Sequence, residues 1–231
     1  MRRFAYLLFL IAISSQTKSA WLVSDLIKSK NDSVLLSREG QIERIRTQQL
    51  REISFIFQKL CARAGQPATL WIETGPTPNA SAQGLGNNRI TVSFGMIELL
   101  GDKHEEWAAL IGHELAHLKL DHAKAGMKRR IPLSIAEELI NEKVKHKTTR
   151  DLLGLSTKAI GSHYSQKQEY DSDYLGTIWT VEAGFSPWGG VQLHQKLLRV
   201  IPRDNYPNFL KSHPSSQQRI KALSRLARDL D

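Results

Sequence analysis

Cross-linking is the first thing this chain lacks. Cys61 is the only cysteine in 231 residues, so no internal disulfide can form and stability has to come from packing. Long apolar runs are also missing. The run Phe4 to Ile13 has ten residues, too few to span a bilayer comfortably. There is no internal repeat, no low-complexity tract and no basic strip interleaved with aromatics. The formal charge of +9 is scattered through the chain, which argues against nucleic acid as a partner and leaves a weak attraction to anionic membrane surfaces. Hydrophobic residues make up 41%, enough for a real core, and the length suits one domain with a leader.

That leader is residues 1–20: Met1-Arg2-Arg3, then the apolar run, then a polar stretch ending at Ser19-Ala20. A cut after Ala20 places Lys18 at the third position back, whereas a cut after Ser19 places Thr17 there and fits better. Loss of 1–20 removes Arg2, Arg3 and Lys18 and no acid, lowering the charge from +9 to +6. The expectation is a signal peptide followed by a single domain over 21–231. The protein would be exported to the periplasm or beyond, and either soluble or peripheral to a membrane. An uncleaved anchor is the alternative.

The stretch Trp107 to His122, WAALIGHELAHLKLDH, carries the most chemistry. At about 100° per residue, His113 and His117 differ by about 40° around a helix, so both imidazoles project from one face. That spacing offers two nitrogen ligands to one zinc ion. Glu114, about 60° to the side of His117, can reach an attacking water without ligating the metal. The flanking Ala108, Ala109, Leu110, Ile111, Leu115, Ala116, Leu118 and Leu120 suit a helix. Gly112 would allow another backbone or a substrate to approach closely. The bland alternative is a helix that happens to carry two histidines.

In chain order, a helix is expected from about Ser37 to Gly65, with Ile42, Ile45, Leu50, Ile53, Phe57 and Leu60 as its apolar stripe. Strands follow at Ala68–Glu73 and Arg89–Phe94, the second rich in β-branched residues. Asp102 is a plausible N-cap of the histidine-bearing helix, which should run to about Gly126. Further helices are expected at Ser134–Lys147, Ser162–Ala183, Pro187–Ile201 and Ser215–Leu230.

Zinc in a hydrolase usually has three protein ligands and an open position. The best candidate for the third is Glu169, with Asp173 one turn on and placed to bond the far ring nitrogen of a ligand histidine. Spacing alone does not decide this, since a glutamate in a polar helix is ordinarily a solvated surface residue.

Three motifs occur in order: His113-Glu114-x-x-His117, then Glu169-x-x-x-Asp173-x-x-Gly176, then Ser212-His213-Pro214-Ser215 with Arg219 six beyond that histidine. Together they resemble the gluzincin metallopeptidases that include the HtpX heat-shock protease and the CAAX prenyl endopeptidase. The segment from Asn79-Ala80 through Arg89 to Val92 resembles the asparagine and edge strand that this family places ahead of the helix.

The resemblance, which covers about 68–230, implies an α+β fold, mainly helical, with a small β-sheet beside the HExxH helix. It implies one zinc on His113, His117 and Glu169, Glu114 as general base and Asp173 behind a ligand. His213 would either stabilise the oxyanion or occlude the metal at rest. Arg219 would orient its loop or contact substrate, and Asn79 would line the cleft. The strand Arg89–Phe94 would take polypeptide substrates in extended form. The expected activity is peptide-bond hydrolysis, and the implied role is quality control of misfolded or membrane-associated envelope proteins.

The sequence departs from the family in having no pair of long apolar segments after the zinc helix, and in Ser81 after Asn79-Ala80. Two rivals stand beside this reading: a latent protease acting mainly as a binding or chaperone-like protein, and a structural zinc domain in which Glu114 would have no task. Of the other histidines, His104, His146 and His194 read as solvated. His122 turns about 140° from His117 on an ideal helix and is not expected to reach the metal, and His163 stays open.

Overall fold

A computed structural model describes residues 20–38, 40–84, 86, 88–122, 164–200, 213 and 217–231. The chain enters as strand β1 (Ala20–Leu22) and a single helical turn, α1 (Val23–Leu26). Strands β2 (Ser33–Arg38) and β3 (Gln41–Arg46) then form an antiparallel hairpin in which Leu36 faces Glu43 and Val34 faces Ile45. Helix α2 follows only at Thr47–Ala64 and ends in Gly65, whose φ of 53° gives the left-handed cap. The helix expected from Ser37 is therefore a hairpin plus a shorter helix. Ile42 and Ile45 continue the i, i+3 spacing of α2 by coincidence, but period-two alternation governs them.

Strands β4 (Thr69–Glu73), β5 (Ala80–Gln83) and β6 (Arg89–Ser93) join β1 in a sheet of order β1-β4-β6-β5, with β4 and β6 parallel and the other pairs antiparallel. This corrects the expectation for Arg89–Phe94. β6 lies between β4 and β5 and has no free side, and the outer strands of the sheet are β1 and β5. The Ala-Ser-Ala-Gln segment of β5 has no β-branched or aromatic residue to announce a strand.

Ser93 caps the short helix α3 (Phe94–Leu100) by accepting from the Met96 N–H at 3.2 Å. The central helix is α4 (His104–Lys119), in which Ile111 to Leu118 are all buried. Its N-cap is Lys103, without a side-chain bond, and Asp102 pairs instead with Arg46 of β3. The helix also stops at Lys119, short of Gly126.

Three later helices enclose α4: α5 (Gln166–Glu182), α6 (Gly189–Val200) and α7 (Gln217–Leu230). Helix α5 opens on a capping box, Ser165 with Gln168. It crosses α4 glycine on glycine: a Cβ on Gly112 would stand 2.8 Å from the Gly176 carbonyl oxygen, and one on Gly176 would stand 2.7 Å from the His113 nitrogen. The close approach anticipated at Gly112 is thus made by the backbone of α5.

Helix α6 is tied to the start of α4 by the Ser186 N–H donating to Glu105 Oε2 and by the ion pair of Lys196 with Glu106. Among the described residues no helix is long and apolar enough to cross a membrane. The leader through Ser19, the helix expected at Ser134–Lys147, and His146 and His163 all lie outside the described residues.

Candidate metal centre

The i, i+4 histidines of α4 project from one face, as the helical period requires, and meet a carboxylate from α5 and a third imidazole. His113, His117, Glu169 and His213 each turn a donor atom into one buried space, all within 4.8 Å of one another. The His113 and His117 Nε2 atoms are 3.0 Å apart, and His213 Nδ1 is 3.1 Å from both His113 Nε2 and Glu169 Oε1. Glu169 Oε1 is 3.3 Å from His117 Nε2, and Oε2 is 3.6 Å from His113 Nε2.

Whether these residues fit a metal can be tested on their own geometry. Ligands about 2.0–2.1 Å from a tetrahedral zinc ion stand about 3.3–3.4 Å apart, and the contacts above, 3.0–3.6 Å, bracket that spacing. His113 Nδ1–H donates to Asp173 Oδ1 at 3.0 Å, so a neutral His113 turns its Nε2 lone pair inward, toward the other donors. Imidazole nitrogens with one carboxylate are also the donor set that suits zinc. The site fits.

A layer of buried groups holds the donors. Arg219 donates through Nε to Asp173 Oδ2 at 2.7 Å, through Nη2 to Asp173 Oδ1 at 2.6 Å and through Nη1 to Glu169 Oε2 at 2.5 Å. Arg219, expected either to orient its loop or to contact substrate, is 2% exposed, and its guanidinium grips two site carboxylates. Burial raises the proton affinity of Asp173, but Arg219, His113 and His194 outweigh it and hold the carboxyl well below its usual range. Burial is likewise outweighed at Glu169, where His213, His117 and His113 hold the carboxyl low.

Glu114 differs from both. It is wholly buried, and among the described residues neither carboxylate oxygen receives a hydrogen bond; His213 Nε2 stands 3.5 Å from Oε1. Burial pushes its proton affinity up, against the pull of His213 and His113. Burial lowers that of His213, but Glu114 and Glu169 outweigh it and raise it.

Asn79 lies at the start of β5, where its N–H donates to Ser93 Oγ at 2.8 Å and its side chain to Glu73 Oε1 at 3.4 Å. These contacts tie Asn79 to the sheet.

Several site residues were missed or misread in the sequence. His194, expected to be solvated, is 3% exposed and its Nε2 is 3.9 Å from Asp173 Oδ1. Tyr164 stacks on His117 with ring centroids 3.8 Å apart, and no motif marked it. His122, on an ideal helix turned away, reaches His117 Nδ1 with its own Nδ1 at 2.9 Å. The helix ends before it, and Asp121 at φ 51° reverses the chain. Burial lowers the proton affinity of His122. The readable signal was a histidine five residues beyond the motif. By contrast His104 is exposed, pairing with Glu52 at 3.1 Å.

A mainly helical domain with a small sheet and an HExxH helix facing a glutamate from a second helix places the protein among the zincin-like metallopeptidases. The chain belongs to peptidase family M48, whose model matches residues 47–227. It is similar to metalloprotease LoiP of Escherichia coli strain K12, 28% identical over 160 residues, which is 68% of this chain and 62% of LoiP. Metalloprotease YcaL of the same strain is 27% identical over 63% of this chain and 57% of its own. The mitochondrial metalloendopeptidase OMA1 of Arabidopsis thaliana is 28% identical over 52% of this chain and 24% of its own. The chain thus aligns with less than two thirds of the length of each of these relatives.

Proposed function

We propose that the protein is a zinc-dependent endopeptidase, exported, that hydrolyses peptide bonds in misfolded or membrane-associated envelope proteins. The observation that carries the hydrolytic reading is Glu114, fully buried beside four convergent donors, with neither carboxylate oxygen hydrogen-bonded among the described residues. Leaving such a group unsatisfied is costly, and a structural metal site has no use for it.

His113, His117 and Glu169 would hold the zinc ion, which would supply Lewis-acid chemistry to the scissile carbonyl and lower the pKa of the attacking water. Glu114 takes a proton from that water and delivers it to the leaving amine as the C–N bond breaks. His213, whose proton affinity the neighbouring Glu114 and Glu169 carboxylates raise, would hold the oxyanion. The edge strand β5, packed on α4, takes substrate as an added strand, so that backbone pairing gives sequence tolerance. Export rests on the pattern of residues 1–20, and amino-terminal sequencing of the mature protein from fractionated cells tests it. A cytosolic chain starting at Met1 would overturn that part.

A second reading is favoured by one observation. His213 Nδ1 lies 3.1 Å from both His113 Nε2 and Glu169 Oε1, nearer than the 3.6 Å between His113 and Glu169, so in this conformation His213 can complete four protein ligands. A closed set describes a latent enzyme that binds clients more than it cuts them.

Zinc content and casein cleavage test both readings. Glu114→Gln is expected to keep one zinc per chain and lose about 10²–10⁴-fold in turnover; unchanged turnover would remove the assignment. His213→Ala lowers turnover if the imidazole holds the oxyanion and raises it if the imidazole occludes.

A further inference from the structure

We propose that His122 is a positioning residue for the metal site, acting through His117. The proposal rests on the reading that His113, His117 and Glu169 hold zinc. His117 turns Nε2 toward the donor cluster, so the proton of its neutral ring sits on Nδ1. That Nδ1 is 2.9 Å from His122 Nδ1, which must therefore present a lone pair, with the His122 proton on Nε2. Ser172 Oγ lies 3.3 Å from the same His122 nitrogen, and Gln168 Nε2 donates to the His122 carbonyl at 3.5 Å. His122 and Ser172 are 6% and 0% exposed, so water does not replace this contact.

Helix α5 supplies both supports. Asp173 and Glu169 sit one turn apart and serve His113 and the donor cluster directly. Ser172 and Gln168, also one turn apart, form the neighbouring row and secure His122, which secures His117. The two ligand histidines of α4 thus have unlike partners: a carboxylate behind His113 and a neutral imidazole behind His117. A carboxylate raises the basicity of the imidazole it accepts from, and a neutral acceptor does so less while still fixing ring orientation and tautomer.

The test uses the zinc-loaded full chain. Long-range proton–nitrogen NMR correlations of the histidine rings should show His122 neutral and protonated at Nε2, and His117 protonated at Nδ1. A His122 protonated at Nδ1 overturns the proposal without any variant. Zinc affinity by competition with a chromophoric chelator then compares His122→Leu, which keeps bulk and removes the acceptor, with His122→Asn, which restores an acceptor oxygen. The expected result is a loss of about 10–100-fold for the leucine variant and recovery of most of it by asparagine. The absorption bands of the cobalt-substituted leucine variant should shift as well.

Equal affinity of His122→Leu and wild type, or equal loss in both variants, overturns the positioning role. If His122→Leu does not fold, the NMR tautomers and the affinity of His122→Asn decide, near-wild-type affinity being expected. Wild-type protein that binds no zinc would instead overturn the metal reading itself.

Discussion

Helices α4 and α5 meet backbone to backbone, whereas the β2–β3 hairpin rests on the molecule by one face. At the helix crossing no side chain separates Gly112 from Gly176, Thr180 Oγ1 reaches the Ala108 carbonyl at 3.3 Å, and eight consecutive residues of α4, Ile111 to Leu118, are buried. In the hairpin, burial alternates. Leu36 and Ile45 are 1% exposed, while Leu35 and Ile42 on the outer face are 50% and 68% exposed. The crossing tolerates neither added volume nor lost charge, because the groups it holds have no solvent to relax into. The hairpin has solvent on one side, so its outer positions should be nearly free to vary.

Arg219 gives the largest expected effect on stability. It is a buried cation facing Asp173 and Glu169, and removing one partner of such a set costs about 3–5 kcal/mol, because the remaining charges stay buried. Arg219→Leu should show this by urea denaturation of metal-free protein at pH 7. The pH dependence has a definite sign. Both carboxyls are held low in the folded state, so their contribution is present above the unfolded value of about 4 and is lost as pH falls through the lower folded values. The gap between wild type and variant should therefore narrow at pH 3. A gap independent of pH would mean that the guanidinium matters for packing and not for charge.

Gly176→Ala comes next. In an ordinary helix interior this change stabilises by about 0.5–1 kcal/mol. Here the new methyl would meet the Gly112 carbonyl carbon and the His113 nitrogen, both at 2.7 Å and both backbone. The expected result is a loss of about 1–3 kcal/mol in thermal or urea unfolding, with weaker metal binding, because the displaced nitrogen belongs to His113, a proposed ligand. A gain in stability would show that the helices can part freely.

The same contrast explains what could be read in advance. His113, Glu114 and His117 share one helix, whose period is set by the backbone, so their common face follows from spacing alone. The Asp173–His113 bond needed only the i, i+4 relation to Glu169 once the order of motifs had joined α5 to α4. The contact of His122 with His117 was missed because an ideal helix was carried past Lys119, where the chain in fact turns at Asp121; His122 itself is not among the convergent donors. His194 looks solvated among its sequence neighbours, and only the docking of α6 brings it to Asp173. Strand order was illegible for a related reason. Which strand is outermost depends on β5, whose pairing with β6 comes from tertiary contact and not from its own composition.

Ile42→Ser should have the smallest effect, and it tests the hairpin assignment most directly. Had Ile42 belonged to the stripe of a helix running from Ser37, it would pack with Leu50 and Ile53, and its loss would cost about 2–5 kcal/mol, as for other buried aliphatic residues. On the outer face of β3, opposite Ser37, the side chain is mostly in water already. The change should then stay within about 0.5 kcal/mol in either direction. Ile45→Ala is the internal control, three residues on and fully buried. A large loss at Ile45 with none at Ile42 is the signature of alternation, whereas equal losses would return both residues to one helical face.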